Sequence, residues 1–156
     1  MDENEHELVA LLEDLSVTDS AQSAIERAVA QAKQELKDKE EKLGGSVQLP
    51  LSVFGDKLPP FIKSCRVFVL RGGTEFKIER HPNSHQRVLS LEGSGEIRVF
   101  HDDGTWTASF GSVRQAPLDK RWASLHENVW HQPVAGPDDW AVLAFHTASE
   151  EDLIDE

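Results

Sequence analysis

Between Leu8 and Leu43 apolar side chains recur every three or four positions, and beyond Gly45 they recur every second one. That change of period divides the chain. Leu8, Leu11, Leu12 and Leu15 form a short helical stripe, opened by Asn4 with Glu7 three residues on, the spacing of a capping box. After the turn-prone SVTDS, Asp19 and Gln22 repeat the spacing. Ala21, Ala24, Ile25, Ala28, Val29, Ala32 and Leu36 then mark one face of a second helix running to about Leu43, with Gly44 placed to cap it. An alanine-rich stripe is shallow and suits close packing. The two helices read as a hairpin that either folds back on its own domain or pairs with a second subunit.

Beyond Gly45 come the short runs FIKSCRVFVL, TEFKIER, HQRVLSLE, GEIRVFH, TWTASF, RWASL and WAVLAFHT, rich in β-branched and aromatic residues. Turn material (RGG, HPNS, HDDG, APLDK, AGPDD) separates them, and Asp103-Gly104 is a hairpin signal. No strand alternates with a long helix, which excludes a doubly wound parallel sheet. Eight or more short strands at this spacing point to a closed antiparallel barrel or jelly roll, so the fold class is mainly β with a helical hairpin in front. Cys65 alternates with Val67 and Val69 and reads as a small buried hydrophobe. His146 shares a face with Trp140, Val142 and Ala144 and reads as a core or rim histidine.

Composition narrows the function classes. A chain of 156 residues is one domain or one domain with an appendage. One cysteine excludes a disulfide framework, no apolar run approaches the ~20 residues of a spanning helix, and the opening MDENEHEL does not resemble a signal peptide. The expectation is a cytoplasmic protein with no membrane partner. Net charge is −12, carried by residues 1–43 and 150–156, while residues 44–149 hold 11 acids and 11 bases. With no basic stripe, nucleic acid is not an expected partner. The acidic ends read as solvated. The division follows: residues 1–45 as a helical extension, 46–149 as a β-barrel, 150–156 as an acidic tail.

Seven histidines in a chain without tyrosine invite a search for ligands. His6 lies in the acidic start and His101 before a turn; both are set aside. On an extended strand Glu75, Lys77, Glu79 and His81 share one face, opposite Phe76 and Ile78. Glu79 and His81 can then grip one divalent ion, each about 2 Å from it. Gln86 opens the next strand, and His131 is the distant fourth donor; a twist at Pro82 would instead present His85, giving His81, His85 and His131. His126 and His131 lie five apart in a strand region, which is not the HExxH pattern of a metalloprotease. Trp106, Trp122, Trp130 and Trp140 serve either a pocket or the core, and one of Arg66, Arg71, Arg80, Arg87, Arg98 and Arg114 is a candidate to hold a carboxylate.

The run from Gly73 resembles the first motif of the cupin superfamily: Gly, five residues, His-x-His, three or four residues, Glu, six residues, Gly. Here Gly73 is followed after five residues by Glu79-Arg80-His81, then after four by Gln86 and after six more by Gly93. Glu79 replaces the first histidine and Gln86 the glutamate. In the second motif, Pro-x-Gly-x-x-His-x-x-x-Asn, His131 holds the histidine, with His126, Asn128 and Ala135 at the Pro, Gly and Asn. The resemblance covers residues 60–149 and implies a jelly-roll barrel whose mouth holds Fe, Mn, Ni, Zn or Cu. It implies a metal set of Glu79, His81, Gln86 and His131, with His85 as the alternative ligand, and a small molecule in the barrel. Three functions follow as expectations: a metal-binding cupin oxidising or isomerising a small metabolite; a metal-free nucleotide-sugar isomerase or epimerase using His81 and His131 as acid and base with Glu79 assisting; or a non-catalytic ligand-sensing or interaction domain. A homodimer is expected in each case.

Overall fold

The computed structural model describes residues 1–109 and 116–156. Two helices, α1 (Glu3–Ser16) and α2 (Asp19–Asp38), precede eight strands: β1 (Gly44–Leu49), β2 (Ser64–Leu70), β3 (Gln86–Glu92), β4 (Gly95–Phe100), β5 (Trp106–Ser109), β6 (Trp122–Leu125), β7 (His131–Ala135) and β8 (Trp140–His146). A single helical turn, α3 (Leu118–Arg121), leads into β6. Five strands form one antiparallel sheet in the order β1-β2-β8-β3-β6, and three form the second in the order β5-β4-β7. The expected strand TWTASF runs to Phe110, and Phe110 and Arg114 lie outside the described residues.

The period-two pattern explains why the larger sheet carries two cores. From β2 and β8, Cys65, Val67, Val69, Ala141, Leu143 and Phe145 face the helices and pack with Val9, Leu12, Ala28 and Leu36. Their neighbours in sequence, Leu70, Trp140, Val142 and Ala144, face the second sheet and pack with Val88, Ile97 and Leu125. All seven residues of β8 are buried, as a central strand covered on both faces requires. The hairpin therefore folds back on its own domain: α2 lies on β1 and β2.

The helix ends differ from the expected ones. Asp2, rather than Asn4, caps α1, its carboxylate accepting from Glu5 N at 2.8 Å. Thr18 stands at the N-cap of α2. That helix stops at Asp38, and Gly44 opens β1 instead of closing the helix. Arg71 serves this end of the helix: its guanidinium donates to the Leu36 carbonyl (2.8 Å) in the last turn and to the Lys42 carbonyl (2.9 Å) in the connection to β1. At the β3–β4 turn Gly93 has φ 75°, and a Cβ there would sit 2.3 Å from the Asp139 carbonyl, so only glycine fits. Gly104 likewise turns the β4–β5 hairpin at φ 85°.

Candidate functional site

Between the sheets lies a cavity of about 180 Å³. Its floor is apolar: Leu70, Phe76, Val88, Ile97, Trp140 and Val142. Its polar wall comprises Ser46, Arg66, Lys77, Glu79, His81, Gln86, His131, His146 and Asp155.

Residues 74–80 bring the first donors in. The expected ladder strand is here an extended segment joined to β7 only at Glu75–Val134 and Glu79–His131. Strict alternation is lost with it. Phe76 lines the cavity together with Glu79 and His81, while Ile78 is 49% exposed and Glu75 faces out to Arg98. At the second bridge Glu79 and His131 exchange both backbone hydrogen bonds at 2.8 Å, which sets their side chains abreast on one face. The His81 carbonyl accepts from Asn128 N at 3.0 Å. Asn128, standing where the motif has glycine, adopts the left-handed φ of 68° that the position demands.

One donor atom each from Glu79, His81 and His131 lies within 4.8 Å of the other two, and both histidines are buried. The hydrogen-bond partners fix the tautomers. His131 Nδ1 faces the Val129 carbonyl at 3.0 Å, an acceptor, so Nδ1 carries the proton. Its Nε2 points at Glu79 Oε1, 3.7 Å away. His81 Nδ1 faces two acceptors, Asp155 Oδ1 at 2.8 Å and the Ile154 carbonyl at 3.2 Å, and so carries its proton too. In the neutral form of either ring, Nε2 is then the nitrogen with the lone pair.

Burial pushes the His81 pKa down, and the neighbouring His131 adds to the fall against the pull of Glu79, so His81 is neutral at ordinary pH. Burial opposes ionisation of Glu79, yet His131, His81 and Lys77 outweigh it and hold the carboxyl below its usual range. The other Glu79 oxygen meets Lys77 Nζ at 3.9 Å.

His146 was not anticipated here. The face assigned to it is right, but that face lines the cavity, and its ring meets that of His81 edge to face at 5.2 Å between centroids. Its chemistry differs from that of the other two. Ser84 Oγ already accepts from Thr147 N and Ala148 N, so its own proton goes to His146 Nδ1 at 3.0 Å. His146 therefore carries its proton on Nε2 and offers a donor rather than a lone pair. Burial, then the charge of Arg66, pushes its pKa down to about 2.

Gln86 reaches the cavity, and its Oε1 is buried with no hydrogen-bond partner among the described residues. His85, on the other face of β3, does not join the group. Its Nε2 lies 2.6 Å from Ser124 Oγ, and its ring meets that of His126 at a tilt, 4.5 Å between centroids. Pro82 introduces no reversal that would turn it inward. Among the described arginines only Arg66 lines the cavity. Arg71 caps α2, Arg80 binds Glu156, Arg87 binds Glu5, and Arg98 binds Glu96. The tryptophans divide: Trp140 lines the cavity, Trp122 is buried in the helix-side core, and Trp106 and Trp130 are partly exposed. Asp155 was missed because residues 150–156 read as solvated; the only signal was Leu153-Ile154, an apolar pair inside an acidic run.

No known protein family matches the chain by sequence. No curated protein matches it either. The fold, by contrast, matches solved structures of the cupin type. A salicylate 1,2-dioxygenase from Pseudaminobacter salicylatoxidans is 16% identical, with 84% of this chain and 36% of that one covered at a TM-score of 0.55. The capsular polysaccharide assembling protein CapF from Staphylococcus aureus is 12% identical over 74% and 32%, at 0.57. The oxalate decarboxylase of Lactobacillus farciminis is 17% identical over 76% and 32%, at 0.53. The fold is a cupin jelly roll with a two-helix unit in front of it, and the chain spans about a third of the length of these solved proteins.

Proposed function

We propose that the protein is a metal-binding cupin acting on a small organic acid by oxidation or isomerisation. The observation that carries the reading is the pairing of Glu79 Oε1 with the lone-pair Nε2 of His131 across 3.7 Å. Two bases so placed repel one another unless a cation lies between them. With His81 Nε2 as third donor, the set is two imidazoles and one carboxylate, a combination that suits Fe, Mn, Ni, Cu or Zn. Gln86 Oε1, unpartnered among the described residues, is a fourth donor in the same wall, an amide oxygen. A divalent ion bound there would polarise a ligand oxygen and leave positions open for substrate.

The chain's own groups fit a small anion. Arg66 is the cavity arginine, its Nε buried and unpartnered among the described residues while one amino group meets Glu150 at 3.4 Å. The His146 Nε2–H adds a neutral donor. The apolar floor shields the charge pair from water and strengthens it. The cavity, of about 180 Å³, has room for a small acid. Salicylate and oxalate, in the names of two proteins of the same fold, are acids of this class.

A second reading keeps the same pair with a proton in place of the metal, His131 and His81 acting as acid and base and Glu79 assisting. One experiment separates them. Metal-stripped protein is titrated with Fe(II), Mn(II), Ni(II), Cu(II) and Zn(II), and the loaded forms are assayed with salicylate, gentisate and oxalate. The reading expects one ion per chain and turnover of a carboxylate. All five ions remaining far below one per chain would remove the metal and favour acid–base chemistry. The reading carries a cytoplasmic homodimer with it, the buried unpaired Cys65 suiting a reducing compartment.

A further inference from the structure

Residues 152–156 run beside the Arg80–Asn83 loop, with Asp155 in the cavity lining. Asn83 Nδ2 donates to the Asp152 carbonyl at 2.6 Å, and Asn83 Oδ1 accepts from Ile154 N at 3.1 Å. Arg80 and Glu156 exchange two backbone hydrogen bonds, at 3.2 and 3.0 Å. The Arg80 guanidinium also binds the Glu156 carboxylate at 2.5 Å while stacking on the Trp130 ring at 4.4 Å. These anchors come from the Arg80–Asn83 loop that carries His81, and Ser149 holds Asp152 N and Leu153 N from the near side.

Between the anchors Asp155 turns inward. Its Oδ1 lies 2.8 Å from His81 Nδ1, and the Ile154 carbonyl lies 3.2 Å from the same nitrogen. His131 receives the equivalent service from the Val129 carbonyl. The carboxylate of Asp155 stands outside the group of three donor atoms, so it reaches the site through the imidazole and not directly.

We propose that Asp155 is a positioning residue of the metal site: the strap 152–156 delivers a carboxylate that locks His81 with its proton on Nδ1 and its lone pair on Nε2. This rests on the reading of Glu79, His81 and His131 as metal ligands. A neutral imidazole lacking such a partner divides between two tautomers and is free to rotate, and only one arrangement offers Nε2. A carboxylate at Nδ1 removes that loss and makes the ring a stronger base, as outer-sphere partners of metal-bound histidines do.

The test uses the full-length chain and zinc, with affinity measured by competition against a chromophoric chelator. Asp155→Ala is expected to weaken zinc binding about 10- to 100-fold. Asp155→Asn keeps an acceptor without the charge and should fall between Asp155→Ala and the wild type. Asn83→Ala, which frees the strap but leaves Asp155 intact, should also weaken binding. Cobalt(II) substitution gives a readout that a merely structural strap would not move: its visible bands should shift in Asp155→Ala. Zinc binding by Asp155→Ala and Asp155→Asn within twofold of wild type, while His131→Ala has lost it, overturns the role of Asp155 and leaves the metal site standing. No zinc binding by wild type overturns both.

Discussion

Glu79 and His131 are far apart in the chain and meet through two backbone hydrogen bonds, and the consequences are local. Replacing either should reduce zinc affinity at least tenfold while the barrel stays folded, since neither packs in the apolar core; chelator competition alongside far-ultraviolet circular dichroism checks this. His146 gives the opposite expectation. Ser84→Ala leaves Nδ1 of a fully buried ring and the Ala148 N–H without their partner, while Thr147 N keeps the His85 carbonyl, at a cost of about 1–3 kcal/mol by denaturant unfolding. Zinc affinity should stay within a few fold, because His146 presents a donor to the cavity. The motif spacing was enough to anticipate that Glu79, His81, Gln86 and His131 line one cavity. His146, Ser84 and Asp155 were not legible, because their roles depend on which atom of a neighbour already has its proton committed.

At the level of elements, α1 is bolted to the larger sheet by charge. Glu5 accepts from Arg87 at 2.5 and 3.1 Å and from Ser124 at 3.0 Å, and Glu13 accepts from Arg121 at 3.0 and 2.7 Å. Burial resists ionisation of Glu5, but Arg87, Ser124 and His85 bring its pKa below the usual 4.5. Burial, then the charge of Arg87, takes His85 down to about 4. Both folded values lie below the unfolded ones, so the unfolded chain binds more protons and stability rises with pH. For His85 the contribution is lost as pH falls from 6.5 through 4; for Glu5 it is lost below 4.5. Urea unfolding at stepped pH should show this decline. In Glu5→Gln the part below 4.5 should shrink, and a profile identical to wild type would rule out the clamp.

Sequence periodicity gave this element's apolar stripe but not the clamp, whose partners stand 82 and 108 residues away. The same limit hid what serves the C-terminal end of α2. Arg71 acts on α2 from a distance of 35 residues, and no local cap residue announces it.

Over the whole molecule, one sheet separates two jobs. Its helix-side face buries Val67, Val69, Leu143 and Phe145, and its other face lines the cavity. Removing residues 1–38 would expose that first face as a contiguous apolar patch. The truncated chain should therefore aggregate or lose cooperative unfolding, whereas a free-standing barrel would stay soluble with its melting transition intact. Leu12→Ala, at a fully buried position, should cost about 2–5 kcal/mol for the same reason. The jelly roll and the helical hairpin were legible because a two-residue period and a shallow alanine stripe each admit few packings. The hairpin's destination was not, since an apolar stripe suits a partner subunit and its own sheet equally well.

The central claim is that Glu79, His81 and His131 hold one divalent ion, and crystals soaked in zinc or manganese, with anomalous scattering recorded, test it directly. The account predicts a single strong peak per chain about 2.0–2.2 Å from Glu79 Oε1, His81 Nε2 and His131 Nε2. A cavity with no peak after soaking, or a peak held by other side chains while these three keep their present spacing, would contradict it.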